Sequence, residues 1–104
     1  MKKLISLAVL MAFAGAAGSV TAAGNAAAGK NKSAVCAGCH GVDGNSAAPN
    51  FPKLAGQDAQ YTAKQLADFK SGARKDPVMA GMAAGLSRKD MDDIGAYYAS
   101  QKRS

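Results

Sequence analysis

The stretch "CAGCH", residues 36–40, holds both cysteines and the single histidine of this 104-residue chain. Thiolates and imidazoles bind soft and borderline metals, and thiols also form disulfides and attack electrophiles. Positions i, i+3 and i+4 of a helix lie on one side of it. If the stretch is helical, Cys36, Cys39 and His40 therefore face the same way and act on one common target.

Four interpretations of this cluster compete. A thioredoxin-like redox pair needs a βαβ setting, and the sequence has no long alternating run of β-branched residues for a central strand. A structural zinc site needs four ligands, and the chain offers no second Cys or His pair. The third interpretation is a local disulfide beside a surface histidine. The fourth, which we favour, is covalent haem attachment, for which C-x-x-C-H is the recognised pattern. Both thiols would bind one porphyrin while His40 reaches its iron.

The N-terminus has the composition of a cleaved secretory signal. Lys2 and Lys3 precede an apolar stretch at 4–17, and small residues follow at 20–24, where a signal peptidase cuts. The apolar stretch is shorter than the ~20 residues that span a bilayer. We expect residues 1–22 to be removed and residues 23–104 to form a periplasmic domain without a membrane anchor.

The predicted domain has few large side chains for a core. The chain contains no Trp, three Phe and three Tyr. Domains of this size are marginally stable on their own and often depend on a disulfide, a metal or a cofactor. We therefore expect a bound group to fill the interior, which agrees with haem attachment.

Helix-capping residues predict three main helices. The first begins after Asn25 and runs to the "CAGCH" residues. The second follows Asp58 and ends at Gly72, with small and apolar residues at i, i+3, i+4 spacing. The third opens at Ser87, which forms a capping box with Asp90, and continues through "DIGAYYASQ".

Two glycines and one methionine are predicted to serve helix packing. Gly29 in the first helix and Gly95 in the last would let these two helices approach closely. Met91 lies in helical register with Ile94 and Tyr98, so we interpret it as a core residue.

Two long segments are predicted to be loops. Residues 41–56 are rich in Gly and Pro, and residues 72–87 carry Met79 and Met82. Loops of this length in a small domain are usually functional. We expect them to enclose the flat cofactor, so the predicted fold is all-α, with three main helices and two long loops.

The order "CAGCH", "APNF", a Met-bearing loop and "DIGAYYASQ" resembles class I c-type cytochromes across residues 23–104. The similarity is to small bacterial periplasmic mono-haem cytochromes c and to one half of the two-haem periplasmic cytochromes c. This resemblance implies the small cytochrome c fold and one haem c per chain, covalently held by Cys36 and Cys39. His40 and a methionine are the implied iron ligands.

The resemblance also assigns two further roles. "DPVMAGM" is similar to the family's ligand loop with its first methionine in the ligand position, which implies Met79 as the axial ligand and leaves Met82 as the alternative. Pro49 matches the proline whose carbonyl accepts a hydrogen bond from the imidazole of His40. Such an acceptor fixes the tautomer of a metal-binding histidine.

The implied function is electron transfer without catalysis, because an iron with two protein ligands has no open position for a substrate. Two alternatives stay open at this point. If neither methionine bound the iron, a five-coordinate haem would act as a gas sensor or a weak peroxidase. The domain could also be a fixed electron-transfer subunit of a larger redox complex.

The charge of the chain bears on its partners. Its formal net charge is +6, and an excess of basic residues persists after removal of residues 1–22. These residues could steer the protein to acidic docking surfaces on a membrane oxidase, reductase or dehydrogenase, or they could simply be solvated. No aromatic residues interleave the basic ones, which argues against nucleic-acid binding.

Overall fold

The structure is a computed structural model that describes residues 24–104. It contains five helices: α1 (Ala26–Lys32), α2 (Ala37–His40), α3 (Ala59–Ser71), α4 (Pro77–Ala83) and α5 (Arg88–Ser100). A 3₁₀ turn, Ser33–Cys36, joins α1 to α2, and these residues contain no strand. The predicted all-α class is confirmed. The predicted signal peptide, residues 1–22, lies outside the described residues and stays a prediction.

Helices α1, α3 and α5 begin at the predicted N-cap residues. The side chain of Asn25 accepts a hydrogen bond from the first turn of α1, and that of Asp58 does the same for α3. Ser87 and Asp90 form both hydrogen bonds of a capping box at the start of α5. At the end of α3, Gly72 adopts a left-handed conformation with φ 88°. These boundaries depend on local chemistry, which the sequence shows directly.

Helix α5 is the centre of the packing, since it contacts α1 on one side and α3 on the other. Its buried face and that of α3 supply the core residues Ala63, Leu66, Met91, Ile94, Tyr97 and Tyr98. Met91 is 3% exposed, as expected for a core side chain. None of the helices in residues 24–104 is long and apolar enough to cross a membrane.

The two packing glycines contact different helices. A Cβ at Gly29 would lie 1.9 Å from the carbonyl oxygen of Asp93, so α1 approaches α5 closely at the predicted glycine. A Cβ at Gly95 would lie 2.4 Å from the carbonyl oxygen of Ala59. Gly95 therefore serves the contact of α5 with α3, and its predicted place opposite the first helix is wrong.

The predicted second loop contains the short helix α4, so the loop prediction is wrong for residues 77–83, whereas the three predicted helical stretches are present. Asp76 caps this short helix by accepting hydrogen bonds from the backbone N–H groups of Val78 and Met79, and Pro77 occupies its first turn. The Pro and Gly content of the segment favours a loop on composition. The N-cap Asp76 and the following Pro77 nevertheless stabilise the start of a seven-residue helix.

The first long loop is fixed to the C-terminal half of α5. Gly44 accepts backbone hydrogen bonds from Leu54 at 2.7 Å and Ala55 at 3.1 Å, which closes the loop on itself. The hydroxyl of Tyr97 donates to the carbonyl of Val42 at 2.9 Å. These bonds close the loop and attach it to α5.

Candidate cofactor site

The "CAGCH" residues lie at the end of the first helical stretch, where the 3₁₀ turn passes into α2. Cys36, Cys39 and His40 all line one cavity. Both cysteines are free thiols, Cys36 half-buried and Cys39 exposed. The structure therefore brings two cysteine sulfurs that form no disulfide, together with an imidazole, to the same space.

The orientation of His40 is determined by a hydrogen bond. Its Nδ1 lies 2.9 Å from the carbonyl oxygen of Pro52. A carbonyl only accepts, so Nδ1 is the donor of this bond and Nε2 takes no part in it. The ring is 8% exposed and meets Phe51 edge to face, with 6.3 Å between ring centroids. His40 is thus held in one orientation, with Nε2 as the nitrogen left to bind a metal.

Pro52, and not Pro49, supplies this carbonyl, so the predicted role of Pro49 is wrong. The backbone N–H of Phe51 donates to the carbonyl of Ala48, and this turn holds Pro49 at the surface. After this turn the chain approaches His40, so the carbonyl of Pro52 is the one that contacts its Nδ1. "APNFPKLAG" contains both prolines, and no local signal distinguishes them.

The cavity has a volume of about 360 Å³ and mostly apolar walls. The first helical stretch, the loop at 41–58 and helices α3, α4 and α5 all contribute to it. The main apolar residues in its walls are Val35, Leu54, Leu66, Phe69, Ile94 and Tyr98. A space of this kind suits a large apolar ligand with a few polar attachment points.

Helix α4 places both candidate methionines in the cavity wall. Met79 is half-buried and packs against the core, and its backbone N–H donates to the cap residue Asp76 at 3.1 Å. Met82 lies about one turn further on and is 45% exposed. Met91 lies outside this wall. The structure therefore offers two thioether sulfurs to the cavity, of which Met79 is the more firmly held.

The cavity surroundings are weakly charged. Burial raises the pKa of the Cys36 thiol, and the nearby Tyr98 hydroxyl partly opposes this effect. The guanidinium of Arg74 lies 4.6 Å from the ring centroid of Phe69 and donates to the side-chain oxygen of Gln65 at 2.7 Å. Among the described residues, no three His, Cys, Asp or Glu side chains converge to hold a metal ion by themselves.

The sequence interpretation missed several residues of this site. Pro52, Tyr98 and the α3 residues Thr62 and Gln65 all line the cavity. The apolar faces of α3 and α5 are visible in the sequence. Their spacing predicts that these faces are buried, but it does not tell whether they pack against other side chains or against a ligand. Only the fold shows which buried residues face the cavity.

A family model described as "Cytochrome c" matches residues 22–102. The chain belongs to the cytochrome c family. It is 53% identical over 103 residues to a cytochrome c4 of Pseudomonas aeruginosa, covering 99% of this chain and 50% of that protein. It is 46% identical over 83 residues to cytochrome c-554(548) of Halomonas halodenitrificans, covering 77% of this chain and all of that protein.

A solved structure agrees with these relatives. The crystal structure of reduced recombinant cytochrome c4 from Pseudomonas stutzeri matches with a TM-score of 0.74 and 54% identity, covering 78% of this chain and 47% of that one. This chain therefore spans about half the length of the cytochrome c4 proteins it matches. The predicted cytochrome c fold, similar to one half of a two-haem cytochrome, is confirmed.

Membership of the cytochrome c family implies haem c with its iron. The site residues fit this group on their own chemistry. An apolar cavity suits a porphyrin, the Cys36 and Cys39 thiols line it, and His40 keeps Nε2 free of the hydrogen bond that holds its ring. Met79 adds a thioether sulfur, the kind of ligand found opposite histidine in low-spin haem proteins.

Proposed function

We propose that this chain is an electron-transfer domain that carries one covalently attached haem c and catalyses no reaction of its own. The observation that supports this most strongly is that Cys36, Cys39, His40 and Met79 line one apolar cavity. Two thiols, an imidazole and a thioether are the set needed to attach a haem and to bind its iron from two sides.

Each residue has a distinct task in this proposal. Cys36 and Cys39 form the two thioether links. His40 would bind the iron through Nε2, while the Pro52 carbonyl accepts from Nδ1–H and so orients the ring. Met79 would bind the iron through its sulfur, because it is more buried than Met82 and its backbone is held by the cap of α4.

The bound haem supplies a one-electron couple between ferric and ferrous iron. The chain's own contribution is to keep water and substrates away from that centre. Leu54, Leu66 and Ile94 give the cavity apolar walls. Two protein ligands leave no coordination position for a third molecule. The same residues therefore favour electron transfer and disfavour catalysis or gas binding.

We further propose that the domain works after export, as residues 23–104, in the periplasm. The support is the signal-like composition of residues 1–22. Its partners are redox proteins with acidic docking surfaces, in keeping with the 11 basic and 7 acidic residues of that domain. A membrane oxidase, reductase or dehydrogenase complex fits this description.

An optical spectrum of the purified protein, oxidised and then reduced, tests the proposal. We expect one low-spin haem per chain that stays with the polypeptide through acidified organic extraction. Pigment that extracts freely would contradict covalent attachment. A high-spin ferrous spectrum that changes when carbon monoxide is added would contradict ligation by methionine and would favour a five-coordinate sensor or peroxidase.

A further inference from the structure

Tyr98 brings a hydroxyl without a partner to the cavity wall. Its side chain is fully buried, and it lines the cavity beside Cys36 and His40. In the part of the chain that the structure describes, its Oη is the one buried side-chain polar atom that lacks a hydrogen bond. An unpaired buried hydroxyl destabilises a fold, and phenylalanine would fill the same space without that penalty. We therefore expect this hydroxyl to have a hydrogen-bond partner in the haem-loaded protein.

The ring of Tyr98 has little freedom to seek that partner elsewhere. A Cβ at Gly44 would lie 2.8 Å from its Cδ1, so the loop backbone packs directly on the ring. The Tyr97 ring lies on another side, with 5.3 Å between centroids. The carbonyl of Tyr98 accepts a hydrogen bond from the N–H of Gly56 at 2.8 Å, which anchors the backbone. The hydroxyl is therefore held at the cavity.

Two polar side chains lie near this hydroxyl, those of Ser33 and Cys36. The Ser33 hydroxyl donates to the carbonyl of Lys30 at 2.9 Å and accepts no hydrogen bond from Tyr98. The Cys36 thiol interacts with Tyr98 without reaching hydrogen-bond geometry. A thiol can donate or accept, whereas a thioether sulfur has no proton and only accepts. Attachment of a haem would thus leave the Cys36 sulfur as an acceptor only, so that the Tyr98 hydroxyl is the donor in any hydrogen bond between them.

We propose that Tyr98 is a positioning residue, whose hydroxyl donates a hydrogen bond to the sulfur of Cys36 once that sulfur is in thioether linkage. This inference rests on the proposed function, since it needs the covalent link. The bond fixes the Cys36 side chain in the rotamer that faces the cavity. It also places the positive end of the O–H dipole beside the cofactor, which stabilises the electron-rich ferrous state.

Tyr98→Phe tests this role, with Tyr97→Phe as the matched control. Tyr97 lies on the same helix, is 5% exposed and also donates one hydrogen bond, to Val42, but it lies outside the cavity wall. In the haem-loaded protein we expect Tyr98→Phe to shift the carbon–sulfur stretching band in the resonance Raman spectrum and to lower the reduction potential. Tyr97→Phe should lower Tm and leave the band and the potential unchanged.

A measurement on the unaltered protein decides the question even if Tyr98→Phe folds poorly. In the reduced state, NMR should show a slowly exchanging hydroxyl proton on the Tyr98 ring, with cross-peaks to the β-protons of Cys36. A rapidly exchanging proton, or cross-peaks to Ser33 or bound water instead, would overturn the inference. So would a Tyr98→Phe protein with unchanged Raman band and potential. These results leave the proposed function intact, whereas freely extractable pigment contradicts the proposed function itself.

Discussion

The Nζ of Lys32 in α1 lies 2.7 Å from Oδ2 of Asp93 in α5, a carboxylate with no exposed surface. The same Nζ lies 2.9 Å from Oδ1 of Asp90. The backbone N–H of Asn25 donates to Oδ1 of Asp93 at 2.8 Å, and Lys89 approaches this oxygen at 3.0 Å. These contacts bind the N-terminal helix to α5 and so set the position of the "CAGCH" residues that follow it.

Asp93→Asn should strongly destabilise the fold, because it removes the fully buried negative charge that both Lys32 and Lys89 contact and leaves Lys32 with Asp90 alone. We expect Tm to fall by roughly 10 °C or more, measured by circular dichroism on the haem-loaded protein. Asp92→Asn is the matched control, since Asp92 has only a long 3.6 Å contact with exposed Arg88 and should change Tm little. Equal Tm values for the two variants would show that the buried contact contributes nothing.

Stability should fall in acid through the same contacts. The Ser87 N–H and then Lys32 lower the pKa of Asp90 to about 2. Lys32 and then the Asn25 N–H lower the pKa of Asp93 still further. In the unfolded chain the pKa of an Asp carboxyl is about 3.9. The stabilisation from these two groups is therefore complete above that pH, and it is lost as the pH falls towards their lower pKa values in the folded protein. Between about pH 5 and pH 2, Tm should decline less steeply for Asp93→Asn than for the unaltered protein. Parallel curves would contradict this assignment.

Gly29→Ala should disrupt the contact of α1 with α5. The new Cβ would lie 1.9 Å from the carbonyl oxygen of Asp93, which is backbone and cannot rotate away. We expect a lower Tm and a smaller yield of haem-loaded protein. Gly38→Ala is the control, because a Cβ there meets nothing within 4 Å and alanine favours helix by about 0.5–1 kcal/mol. A Gly29→Ala protein as stable as the control would mean that the helices can separate without loss.

The residues that sequence reasoning placed correctly act through neighbours in the chain. Asn25, Asp58 and Ser87 cap their helices by bonds to residues three positions away, so the printed order of residues is enough to find them. The spacing of Cys36, Cys39 and His40 works in the same way. These local patterns determine most of the fold.

The predictions that failed depend on contacts between distant segments. The turn at residues 48–51 determines which proline carbonyl contacts His40. The path of the loop before α3 determines which helix packs against Gly95. The unpaired hydroxyl of Tyr98 is likewise invisible in the sequence. Helix α4 is the exception, because Asp76 and Pro77 give it a local start that its Gly content obscured.

Lys75→Glu should slow electron exchange with an acidic partner. Lys75 is exposed and follows Arg74, which lines the cavity, so its charge lies near the site of electron transfer. We expect a lower second-order rate at low salt and a weaker dependence of that rate on ionic strength, measured by stopped flow. Lys102→Glu makes the same change in net charge outside the cavity wall and should have a smaller effect. Equal effects would indicate that only total charge matters.

Met79→Ala and Met82→Ala should separate the two candidate ligands, because both sulfurs reach the same cavity from one short helix. Met79 is half-buried against the core and its backbone is held by Asp76, whereas Met82 is 45% exposed. A ligand needs a fixed position, which favours Met79. Met79→Ala should therefore abolish the sulfur-to-iron charge-transfer band of the ferric protein, open the iron to added imidazole and lower the reduction potential. Met82→Ala should keep the band and change mainly Tm. Loss of the band in Met82→Ala and its retention in Met79→Ala would identify Met82 as the iron ligand. That result would also mean that the exposed end of α4 moves into the cavity when the haem is attached.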